Sequence, residues 1–98
     1  MEATADRAMF AWADYYKVIR AAPGANLTQI EAQRAQIDKA YERFRQSMNF
    51  VYTARSTYAN TAAGNTELQA ALITAASLSS EVLNLVNAFL PQANQVKP

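Results

Sequence analysis

From residue 28 to residue 62 the chain runs for about 35 residues without a Gly or a Pro, and apolar side chains recur there every seventh residue: Ile30, Ile37, Phe44, Val51 and Tyr58. Tyr41, Met48, Tyr52, Ala59 and Ala62 fall on the same side, so at about 100° per residue the stripe covers a sector about 120° wide. That spacing predicts one long helix whose stripe other helices must cover. Within the chain the candidates are the flanking segments 4–21 and 66–90.

Composition agrees with an all-α chain. Only 2 Gly and 3 Pro occur in 98 residues, too few turn formers for a sheet protein, and a hydrophobic fraction of 51% is enough for the core of one domain. The expected architecture is an elongated three-helix up-down-up bundle with a long central helix, with residues 1–90 as one domain and 91–98 as a short mobile tail after Pro91. At 1.5 Å per residue, helices over 4–21, 28–62 and 66–90 span about 27, 52 and 37 Å. The first helix would then cover only the start of the second, the third only its end, and all three would overlap around residues 38–46.

The boundaries are read from local signals. Thr4 or Asp6 can cap the first helix, and Pro23-Gly24 stops it. Thr28 with Glu31, and Thr66 with Gln69, have the spacing of capping boxes that would open the second and third helices, and Gly64 would sit just past the end of the second. Met1, Ala5, Ala8, Trp12, Tyr15, Tyr16 and Ile19 form the apolar side of the first helix. In the third the corresponding set is Leu68, Leu72, Ala75, Leu78, Val82, Leu85, Val86 and Phe89. The expected core therefore includes Trp12, Ile37, Phe44, Met48, Val51, Leu72 and Val82.

Charge and chemistry narrow the function. Nine basic and eight acidic side chains leave a net charge of +1, which argues against a nucleic-acid partner. The basic set Arg34, Lys39, Arg43, Arg45 and Arg55 is interrupted by Glu31, Asp38 and Glu42, which cancel the field a phosphate would need. There is no His and no Cys, so the commonest general base, the thiolate nucleophile and the commonest transition-metal ligands are missing. Asp38 and Glu42 stand among cations without further oxygens, and there is no Gly-rich phosphate loop. The sequence thus predicts no enzyme, no cofactor and no metal site. Residues 68–90 are long and apolar enough to suggest a membrane span, but Gln69, Glu81, two Asn and several Ser and Thr argue against one. The acidic N-terminus lacks an apolar signal-peptide stretch, which favours a cytoplasmic or virion-associated protein.

Two side chains are left over by the stripes. Phe10 projects about 180° from the apolar side of the first helix, and Phe50 about 200° from Ile30. The last part of the third helix is apolar around most of its circumference, so Phe10, Phe50, Leu83, Val86 and Leu90 are the expected protein interface. The expected function is a non-enzymatic structural or interaction protein, an oligomer or a docking subunit of a larger bacterial or viral assembly. A small monomeric inhibitor or immunity-type protein is the alternative, followed by a nucleic-acid accessory protein using the second helix.

Overall fold

The computed structural model describes residues 1–57 and 62–98, with side chains in the second stretch described from residue 65 onward. Three helices carry the fold: α1 Glu2–Ala21, α2 Leu27–Thr57 and α3 Ala62–Phe89, followed by a 3-10 turn at Gln92–Asn94. The described residues contain no strand. The bundle measures 58 × 23 × 15 Å with a radius of gyration of 16.4 Å, well above the ~13 Å of a compact chain this long.

Helix starts differ from the capping signals in the sequence. Ala22 and Ala25 close a turn with a 3.2 Å backbone bond, and Gly24 takes φ +74, which suits the third position of a type II turn following Pro23. That turn delivers the chain to Asn26, whose Oδ1 accepts from the Gln29 backbone N–H at 3.1 Å. Asn26 is therefore the N-cap of α2; Thr28 already lies within the helix and Glu31 is engaged elsewhere. α1 begins at Glu2 instead of near Thr4 or Asp6, and its first carboxylate suits the positive end of the helix dipole. Gly64 lies inside α3, not past the end of α2, and Thr66 stands in the body of α3 instead of capping it. The first turn of a helix tolerates a Gly that a helix centre would disfavour by about 1 kcal/mol. Of the expected stripe, Tyr58 and Ala59 lie outside the described residues, as does the side chain of Ala62.

The core follows the central stripe. Ile37, Phe44, Val51, Val82 and Val86 are fully buried, and Trp12 and Met48 are nearly so. Leu72, expected in the core, is only half-buried at its margin, and the smaller Ala71 is buried in its place. Tyr52 is 43% exposed and reaches Glu2 with its hydroxyl instead of lying in the core. On α3 the buried side is centred on Ala75, Ser79, Val82, Leu83, Val86 and Leu90, rotated about 40° from the predicted set.

α1 explains that rotation. It lies antiparallel to α2, pinned by Tyr16 to Glu31, Tyr41 to Asp6 at 2.8 Å and Arg45 to Glu2 at 3.3 Å. It also lies alongside α3, where Ser79 donates to the Met1 carbonyl at 2.8 Å and the Trp12 and Phe89 rings meet at 6.2 Å. Leu83, Val86 and Leu90 are consequently packed with Ala5, Ala8 and Trp12 in one cluster. α3 runs beside α2 along nearly its whole length, since its end at Phe89 and the start of α2 at Ile30 line the same hollow. Three helices therefore overlap from about Glu31 to Arg45, a longer stretch than the sequence suggests. Past Glu2 the molecule is a two-helix hairpin.

The expected mobile tail is folded back. Asn87 donates to the Val96 carbonyl at 2.8 Å and accepts from the Val96 backbone N–H at 2.9 Å, while Gln95 donates to the Asn87 carbonyl. Val96 packs against the core cluster, so the tail covers part of the α3 end that would otherwise remain open.

Candidate functional site

Two grooves on opposite sides of the bundle compete as candidate sites. The first, about 450 Å³, lies between α1 and α2 over Met9, Trp12 and Ala13, with Lys17, Arg20 and Arg34 at its rim. Tyr16 is the hub of that rim. Its hydroxyl donates to Glu31 and accepts from Arg20 at 3.2 Å and Arg34 at 3.3 Å, and both guanidiniums lie over its ring, at 5.8 and 5.2 Å from the centroid. Arg34 also pairs with Asp38 at 3.6 Å, and Arg20 with Glu31 at 3.8 Å. The Tyr16 hydrogen bond and then the two guanidiniums hold the Glu31 carboxyl below its ordinary pKa. Apart from Lys17, the polar groups on this rim are occupied with one another, so the network works as a clamp between α1 and α2.

The second groove, about 880 Å³, lies between α2 and α3 on the side away from α1. Arg43, Gln46, Ser47 and Phe50 form one wall; Glu67, Ala70, Thr74 and Leu78 are among the residues of the other. α2 presents Phe50 here because that position is about 115° around the helix from the centre of its buried side, away from Tyr41 and Arg45, which meet α1. Opposite the ring the α3 wall is low because Ala70, Ala71 and Thr74 stand there. Phe50 is 54% exposed in consequence. Arg43 crosses one end of the groove to Glu81 at 3.1 Å, and Glu67 at the other end has no ion pair among the described residues.

Comparison with family models, curated proteins and solved structures returns no match.

The five residues predicted as an interface separate into two groups. Leu83 and Leu90 are 5% exposed and Val86 is fully buried, so these three belong to the core. α1 lies on their side of α3 and the returning tail adds Val96, two sources of cover that a wheel of α3 alone leaves out. Phe10, at 70% exposed, and Phe50 stand on the surface, but not together: Phe10 points outward from α1, whereas Phe50 lies in the groove on the far side of the bundle. Ile73, 71% exposed, and Val18, 68% exposed, are further apolar side chains in solvent that the sequence analysis did not single out.

Among the described residues no group of three Asp or Glu is arranged to hold a metal ion. Tyr41 and Tyr52 have raised pKa values, the first mainly through burial and then its bond to Asp6, the second mainly through its bond to Glu2. Both tie α1 to α2 and neither faces a groove. By length and composition, α3 over Asn65–Phe89 is apolar enough to cross a membrane; here its apolar stripe packs on α1 and α2.

Proposed function

We propose that this chain is a non-enzymatic helical interaction protein, a subunit that self-associates or docks on another protein through the α2/α3 face around Phe50. The observation that carries this reading is Phe50 itself. It is a large aromatic side chain, 54% exposed, set in a groove whose other wall is mostly small residues. Fully burying an exposed ring contributes about 1.5–3 kcal/mol, of which about half remains to be gained at Phe50, and aromatic side chains are enriched in the buried cores of protein interfaces. Phe10 is more exposed but lacks a groove, which makes it an isolated surface residue of an ordinary kind. Charged groups at the two ends of the groove provide a polar rim around an apolar centre, the usual anatomy of a protein contact.

The test is site-specific photo-crosslinking in the cells that produce the protein, with benzoylphenylalanine placed at position 50 or at position 10. Covalent protein adducts are expected from position 50 and not from position 10. Adducts from position 10 alone, or from neither position, would put the interaction surface elsewhere or remove it.

A further inference from the structure

We propose that the face around Phe50 binds a second copy of this chain, in a two-fold dimer where Arg43 of each copy meets Glu67 of the other. This rests on the interaction reading above and names its partner. The register of the α2/α3 hairpin carries the argument. Arg43 and Glu81 are bonded across the hairpin at 3.1 Å and the two helices run antiparallel, so a step forward along α2 corresponds to a step backward along α3. Glu67 therefore lies level with Thr57. Phe50 is midway, about seven residues from either level, so Arg43 and Glu67 stand about 10 Å on each side of it.

A two-fold axis at the level of Phe50 exchanges those two ends. It brings the cation of one copy to the carboxylate end of the other, twice, and places the two Phe50 rings together at the centre. Glu67 has no ion pair among the described residues, and Arg43 gives Glu81 one of its several donors, so both can make the new contact. Glu81 travels with Arg43 in this exchange, and Lys39 one turn away keeps that end net positive against the single carboxylate of Glu67. A copy of the chain thus supplies the complementary charge pattern from its own sequence. Ser47, Ala70 and Thr74 leave room for the incoming ring.

The size of the face sets the strength of the dimer. Between the levels of Arg43 and Glu67 it is about 21 Å long and two helices, or about 20 Å, wide. The resulting area of about 400 Å² per copy, about 800 Å² in total, falls short of the roughly 1,000 Å² of a stable interface, so the dimer is weak and transient.

Sedimentation equilibrium at concentrations up to about 1 mM, with thermal unfolding as a folding control, tests the arrangement. The unaltered chain should be a reversible dimer. Arg43→Glu and Glu67→Arg each create two like-charge contacts and should weaken dimerisation at least tenfold with little change in unfolding midpoint, because both side chains are exposed. An equimolar mixture of the two variants should regain the dimerisation of the unaltered chain, since the mixed dimer restores opposite charges at both ends. A chain that remains monomeric overturns the second-copy inference; adducts from position 50 to a different protein would then leave the broader reading standing. A dimer unaffected by either variant, or variants whose mixture associates no better than each alone, overturns the Arg43–Glu67 register.

Discussion

Replacing Phe44 with Ala tests the packing on which every surface assignment depends. Phe44 is fully buried in α2 where all three helices overlap, its ring 6.2 Å from that of Tyr41. A buried aromatic side chain removes about 150–250 Å² from water, which at about 25 cal/mol per Å² amounts to roughly 4–6 kcal/mol. Ala retains a small part of that area and the unfolded chain already hides some of it, which lowers the figure, while the cavity left behind raises it again. The expected loss is about 3–5 kcal/mol, a large share of the 5–15 kcal/mol typical of a domain. With a urea slope of about 1–3 kcal/mol per M, the midpoint should fall by about 2 M. The assay is urea unfolding followed by helical circular dichroism, with Lys39→Ala as an exposed control on the same helix. If Phe44→Ala moves the midpoint no further than Lys39→Ala, Phe44 is not core, the rotational setting of α2 is wrong, and Phe50 is not where the groove requires it.

Three further outcomes follow from particular contacts. Asn26→Ala should lower stability by about 1 kcal/mol in thermal unfolding, whereas Thr28→Ala should change it by a few tenths, because Asn26 and not Thr28 caps α2. Stability should be flat between about pH 6 and 8 in the absence of His. The raised pKa of Tyr41 means that its contribution is complete below the unfolded value of about 10 and disappears as pH rises through the folded value; the lowered pKa of Glu31 makes the opposite loss on the acid side, below about pH 4.3. A stability titration by urea midpoint checks both arms, and Tyr41→Phe should flatten the alkaline one. Asn87→Ala should loosen the tail, raising amide exchange at Val96 while the exchange of Val51 stays slow, since the Asn87 side chain makes both bonds to the Val96 backbone.

The fold was largely legible because the seven-residue recurrence of Ile30, Ile37, Phe44 and Val51 fixes the rotation of α2; its length was overestimated, since α2 is described to Thr57 and residue 62, its expected end, already belongs to α3. α3 was less legible. It is apolar around so much of its circumference that periodicity scarcely distinguishes Leu72 from Leu83, and the choice was made by α1, whose close approach favours small residues such as Ala75 and Ser79. Hydrophobicity ranks large side chains first and overlooks such positions. Asn26 and Thr28 are both competent caps, and the turn at Pro23-Gly24 decided between them. For the candidate site, the helical wheel correctly turned Phe50 away from the core, but a wheel cannot place a second helix beside it. The groove, the Arg43–Glu81 bridge and the level of Glu67 are properties of the α2/α3 register. Phe10 was indistinguishable from Phe50 in sequence for the same reason.

The surface role of Phe50 is tested most directly by Phe50→Ser, measured at once for folding by urea unfolding and for association by sedimentation. The prediction is an unfolding free energy within about 0.5 kcal/mol of the unaltered chain together with association weakened by about 2 kcal/mol or more. A variant that loses as much stability as Phe44→Ala and associates as the unaltered chain does would contradict it, and would return Phe50 to the core.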